Sequence, residues 1–184
     1  MHQHLIEVLV QLDASREALR QTIAAIPATA RTEHPGPDRW SPVEIVEHLS
    51  LVETRFSTVV GGKIAEALNA GLEPESEARV PLPERIQMLL ADRTGKRTAP
   101  EAAIPSGTMN EAAAWEAADR ARAGFRAAVL SADGRALSGV IHEHPFFGPL
   151  TVYQWVELIA AHEMRHVAQV REAAASNQIA AGGV

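Results

Sequence analysis

Residues 150–171 read LTVYQWVELIAAHEMRHVAQVR, and the fold is decided in this stretch. Val152, Val156, Ile159, Val167 and Val170 recur at steps that follow a helical period and predict one apolar stripe on an amphipathic helix. His162 and His166 lie on that stripe. Side chains at i and i+4 stand one turn apart on the same side of a helix, so two imidazoles placed this way can converge on a single ion. Burying two ionisable rings on an inward face carries a desolvation cost, and metal ligation accounts for that cost more readily than packing does.

The same helix has clear start signals. Thr151 can cap it, Gln154 stands in the capping-box position, and Leu150 can staple against Trp155. An earlier segment repeats the device: Ser41 caps, Pro42 suits the first helical position, Glu44 completes the box and Trp40 staples against Ile45. From there an apolar stripe of Ile45, Leu49, Val52, Phe56 and Val59 runs toward a helix end before Gly71, with His48 on the same side. Upstream, residues 4–26 place Leu5, Leu9, Leu12, Leu19, Ile23 and Ile26 at helical spacing, and Pro27 ends that helix. A further helix is expected to start at Thr108, with Glu111 as box partner, to carry Ala114, Ala118, Ala121, Phe125, Ala128 and Val129 inward, and to stop near Gly134.

Between the second and third of these helices, residues 71–108 are rich in proline, and only residues 83–92 suggest a short helix. Long connections in compact domains often cover or line a site. Residues 28–40 and 138–150 read as loops. The expectation is an all-α fold: one domain over residues 1–184, a four-helix bundle with a long crossover connection between helices two and three, a core from about residue 5 to 172, and a flexible tail over 173–184.

Composition agrees and excludes other classes. Across 184 residues, 46% are hydrophobic and only 4% aromatic, which suits alanine-rich helices that pack closely. A net charge of −6, from 17 basic and 23 acidic residues without a basic patch, argues against a nucleic-acid surface. No stretch approaches the ~20 apolar residues that span a bilayer, and the N-terminus lacks the pattern of a signal peptide. A cytoplasmic protein without nucleic-acid or membrane partners is expected. Cysteine is absent, so any metal must be held by histidine and carboxylate.

If helices two and four are neighbours, His48, His162 and His166 can form a three-nitrogen face around one divalent ion, leaving positions for water or substrate. Zn, Ni, Fe and Co all suit such a donor set. Residues 162–166 also match HExxH, in which Glu163 would serve as the general base of a metalloprotease. Against that reading, the match lies near the C-terminal end, lacks the extended downstream pattern, and has no clear strand beside it to bind a peptide. Glu163 lies near the inward stripe and is a candidate proton acceptor or a partner for Arg165 or a neighbouring helix. Arg55, two turns after His48, is a candidate for binding an anionic substrate group. His142 and His144 are rival ligands; His2, His4 and His34 read as solvated.

Trp40-Ser41-Pro42, Glu47-His48-Leu49, His144-Pro145, Phe147-Gly148, Leu150-Thr151, Gln154-Trp155, and His162 with Arg165-His166 and Gln169 together resemble the DinB/YfiT-like superfamily over about residues 5–172. The resemblance implies a four-helix bundle with a long crossover and a divalent metal held by three histidines, carried over here to His48, His162 and His166. Proteins of that kind include bacillithiol-using thiol-S-transferases, mycothiol-dependent isomerases and proteins described only as metal-dependent hydrolases, and homodimers are common among them. The resulting expectation is a metal-dependent enzyme that acts on a small-molecule substrate, using a low-molecular-weight thiol for S-transfer or water for hydrolysis. The alternative is a non-catalytic bundle with a structural metal or a binding role.

Overall fold

Ser41 Oγ accepts the Glu44 N–H at 3.2 Å while the Glu44 carboxylate accepts the Ser41 N–H at 2.7 Å, so the second helix opens on the reciprocal cap that its sequence predicts. In the computed structural model, which describes residues 1–95 and 98–181 (side chains through residue 174), the helices are α1 Gln3–Ala24, α2 Pro42–Asn69, α3 Glu84–Ala91, α4 Glu111–Leu130 and α5 Val152–Ala181. A hairpin of β1, Ile141–His144, and β2, Gly148–Thr151, precedes α5. Single 3-10 turns stand at Ala28–Ala30 and Glu101–Ala103.

The four long helices form the expected all-α bundle, with α1 packed chiefly on α5 and α2 on α4. Small residues let the second pair approach closely. A Cβ added at Gly61 would meet Ala128 Cβ at 3.3 Å, and Ala114, Ala118 and Ala121 are buried on α4. Buried apolar side chains run from Leu5 on α1 to Ala173 on α5.

Local chemistry also sets the ends. Gly71, at φ +83°, terminates α2 with its N–H on Leu68 O while the Leu72 N–H reaches Ala67 O. This is the paired-bond termination that places a left-handed residue just past the helix. Thr151 and Gln154 cap α5 reciprocally, at 3.0 and 3.3 Å, as expected.

Three expectations need correction. Helix α4 is capped by Asn110, whose side chain accepts the Ala113 N–H at 2.9 Å, and not by Thr108, whose N–H and hydroxyl instead bond Ser106 Oγ. Residues 141–151 are a short antiparallel hairpin rather than loop; its register pairs His144 with Gly148, the latter at φ +80°. The inward face of α2 drifts, so that Glu53, Val60 and Ile64 are fully buried while Val52, Phe56 and Val59 are only half-buried. Helix α5 runs through Ala181, and residues 182–184 of the expected tail lie outside the described residues.

The crossover is strapped along α5. The Leu82 N–H donates to Glu157 at 2.6 Å, and the Arg79 guanidinium pairs with the same carboxylate. Arg165 donates to Leu90 O at 2.9 Å and to Asp92 O at the end of α3, where a cation meets the orphan carbonyls. Arg93 grips both oxygens of Glu172, at 2.8 to 3.1 Å. Residues 98–106 lie over α2, where Ala103 O meets His48 Nδ1 and the Ser106 N–H donates to Glu47 at 2.7 Å.

Candidate metal centre

His48 comes from α2, His162 and His166 from successive turns of α5, and one nitrogen from each lies within 4.8 Å of the others. The ring centroids are 5.4 Å apart for His48 and His162, 4.9 Å for His48 and His166, and 4.7 Å for the α5 pair. His48 and His166 are buried, and His162 is the most accessible of the three. Trp40, ahead of the α2 cap, sets its ring 4.7 Å from that of His48 and shields the site from that side.

Hydrogen bonds orient two of the rings. His48 Nδ1 lies 2.6 Å from Ala103 O; a carbonyl only accepts, so Nδ1 carries the proton and the Nε2 lone pair is left for a ligand role. His166 Nδ1 lies 2.9 Å from Gln169 Oε1 in the same sense. The Nε2 atoms of His166 and His162 then face each other at 3.2 Å. Two nitrogens bound to one tetrahedral Zn at about 2.0–2.1 Å would stand about 3.3–3.4 Å apart. That pair can share either a proton or an ion, and the donor set fits a divalent cation.

The surroundings keep the rings neutral, which is the ligating form. Burial, and then the neighbouring His48, Arg165 and His144, push His162 down to about 3. Burial also holds His166 well below the usual histidine range, helped by His162 and His48 and opposed by Gln169. His48 is lowered by burial and raised in part by its bond to Ala103.

The rival histidines are elsewhere. His144 is buried among Phe147, Trp155 and Phe56, at centroid distances of 4.6, 5.1 and 5.9 Å, and its Nδ1 accepts the Phe146 N–H at 3.1 Å. Burial and then His142 press it down to about 4. His142 lies against Trp155 at 5.9 Å. Neither joins the three-nitrogen cluster. His34 is largely exposed and pairs with Glu44 at 2.9 Å, as suits a surface residue. His2 and His4 are half-buried rather than solvated: His2 Nδ1 accepts the His4 N–H, and His4 meets the edge of Tyr153 at 5.7 Å.

Glu163 departs most from its motif. Its carboxylate is 1% exposed and accepts from Ser15 Oγ at 2.5 Å, Arg16 Nε at 2.6 Å and Arg122 at 2.9 Å. Donors from α1 and α4 engage both of its oxygens, and the carboxylate is closed off from solvent. Of the roles open to it in the sequence, the structure displays that of partner to neighbouring helices. Arg55 is exposed on α2, and among the described residues no bond connects it to the histidines.

Sequence reasoning missed the Ala103 carbonyl, the orienting role of Gln169, and the partners of Glu163. A backbone carbonyl has no sequence signature. Arg16, Glu53 and Arg122 did leave a signal, since each stands four residues after an inward apolar residue: Leu12, Leu49 and Ala118.

The chain is 27% identical over 141 residues to the protein YuaE of Bacillus subtilis (strain 168), covering 76% of this chain and 80% of that one. Its fold is similar to the crystal structure of TT2238, a four-helix bundle protein, with a TM-score of 0.57, 20% identity, and coverage of 91% of this chain and 98% of that one. The family profile described as the DinB superfamily matches residues 11–170, so the bundle and its histidine cluster are those of a chain that belongs to the DinB superfamily.

Proposed function

We propose that this protein is a metal-dependent enzyme in which His48, His162 and His166 hold one divalent cation, and that it acts on a small-molecule substrate through the thiol of a low-molecular-weight cofactor or through water. The observation that carries the reading is the convergence of three neutral imidazoles, two of them oriented by bonds from Nδ1 to Ala103 O and Gln169 Oε1. A cation held there supplies the positive charge that lowers the pKa of a thiol or water and polarises a substrate oxygen.

The chain's own residues supply positioning and shielding. Trp40 and the Ala103 turn cover His48, leaving the side of His162 for approach. Arg165 holds the crossover against α5 beside that side. Glu163 has no part as a base in this reading, because its oxygens are engaged in the bundle interior. That counts against a metalloprotease of the HExxH kind. Homodimeric assembly and a cytoplasmic location belong to the same reading.

The test pairs bacillithiol, mycothiol and glutathione in turn with model electrophiles, using protein loaded with Zn, Ni, Fe or Co. Turnover with one thiol that is lost in H48A supports transfer. Hydrolysis of activated esters or amides without thiol supports the water branch. A metal that binds tightly, raises thermal stability and supports neither reaction would favour a structural role. Sedimentation equilibrium decides between dimer and monomer.

A further inference from the structure

Arg16, Glu53, Arg122 and Glu163 come one from each long helix: α1, α2, α4 and α5. They close a ring of alternating charge in the bundle interior. Arg16 reaches Glu163 at 2.6 Å and Glu53 at 2.9 Å, while Arg122 reaches Glu163 at 2.9 Å and also pairs with Glu53. All four residues are buried, at 7% exposure or less. The Ser15 hydroxyl adds a third donor to Glu163, and Arg122 also donates to Leu12 O at 2.8 Å, so the ring is tied to α1 at several points.

The placement of the ring matters for the histidines. Glu163 directly follows His162, and Glu53 lies five residues after His48. A residue on a helix cannot turn without turning its neighbours, since each step advances the helix by 100° and 1.5 Å. Three directional donors on one carboxylate therefore fix both the rotation and the height of α5, and two arginines carry that setting to Glu53 on α2.

We propose that this four-helix ring is the positioning device for the metal centre, with Glu163 as the positioning residue that sets His162 and His166 against His48. The inference rests on the metal-binding reading. A buried alternating ring is an expensive way to gain stability alone, because apolar residues of similar volume often serve as well, whereas its directional bonds specify one arrangement of the helices.

The experiment uses the full chain and Zn²⁺ as the probe. Removing the charge of Glu163 would alter the field at a nearby cation, so the variants retain it: E163D shortens the reach by one methylene, and R16K replaces the guanidinium fork with a single ammonium. Both are expected to keep native helix content and to bind Zn²⁺ at least about tenfold more weakly than the wild type, the scale seen when groups that orient ligands are lost. A second measurement needs no variant. Coupling is reciprocal, so Zn²⁺ bound to the wild type is expected to slow hydrogen exchange at the Arg16 and Arg122 guanidinium N–H groups several-fold and to leave surface Arg126 unchanged. Folded E163D with wild-type affinity, or exchange that Zn²⁺ does not alter, overturns the positioning role while leaving the metal site intact. Failure of the wild type to bind Zn²⁺ overturns the metal reading itself, and this inference with it.

Discussion

His162 and His166 direct their Nε2 atoms at each other across 3.2 Å, one turn apart on α5, while His166 is held from behind by Gln169. Two unprotonated nitrogens at that separation repel, so the pair requires a proton or a cation between them. The third imidazole, His48, makes the cation the better occupant, since one proton cannot satisfy three lone pairs.

The first prediction concerns stoichiometry. Wild-type protein dialysed against Zn²⁺ and then against buffer is expected to retain one ion per chain by elemental analysis. H48A and H166A are expected to bind at least about 100-fold more weakly, beyond the range seen when only orienting groups are lost. Full occupancy in H48A would show that His48 is not a ligand.

Gln169 offers a finer test. Its Oε1 accepts the His166 Nδ1 proton, and Q169L removes that acceptor with little change in side-chain volume. Zn²⁺ affinity is expected to fall about 10- to 100-fold with little change in helix content. Equal affinities in a competition titration would mean that the ring orientation is set by packing alone.

Acid should destabilise the metal-free protein through the clustered histidines. His162 falls from 6.5 to about 3 in the folded chain, so below pH 6.5 the unfolded chain takes up the proton first. Stability that is complete above about pH 6.5 is lost progressively as pH falls toward 3, and His162 alone accounts for about 2 kcal/mol near pH 5. Urea titrations of metal-free protein between pH 7 and 5 should show this slope, and H162F should flatten it. An unchanged slope in H162F would place the acid sensitivity elsewhere.

Breaking the buried ring should be costly. R122A leaves the Glu53 and Glu163 carboxylates short of a partner in the interior, and burial is already the largest influence on Glu53, raising it despite both arginines. A loss of about 3–5 kcal/mol is expected in urea denaturation. A loss of less than about 1 kcal/mol would mean that water reaches the ring and screens it.

The start of α4 gives a local check. Asn110 accepts the Ala113 N–H, so N110A is expected to cost about 1 kcal/mol. T108A should cost much less, because Thr108 bonds Ser106 outside the helix. The reverse order in thermal melts would restore the cap to Thr108.

Thr108 and Asn110 show why that helix start was misplaced. Thr108 and Glu111 satisfy the spacing of a capping box, but the pattern also fits a residue in a turn two positions earlier, and only the path of the crossover chooses between them. By contrast, the starts of α2 and α5 were legible because other signals agree with the box spacing there: Pro42 at the first helical position and the staple pair Trp40 and Ile45 for Ser41 with Glu44, and the staple pair Leu150 and Trp155 for Thr151 with Gln154. The hairpin at Ile141–Thr151 was missed because its strands are four residues long, with a Pro-Phe-Phe tip that reads as loop. At the site, the histidine positions on the inward stripes were visible, whereas the Ala103 carbonyl that orients His48 was not.

By itself the sequence determined what depends on neighbours along the chain: the long helices, the paired caps of α2 and α5, and the placing of His162 and His166 one turn apart. Those features are set by helical period and by hydrogen bonds that close within a few residues. Only the tertiary structure decided what depends on how helices rotate against one another. It brought His48 to the α5 pair, laid the Ala103 turn over it, and gave the Glu163 carboxylate to Ser15, Arg16 and Arg122. A motif of five residues specifies which side chains share a helix. Which of them meets an ion and which meets an arginine is settled by the helices packed on either side.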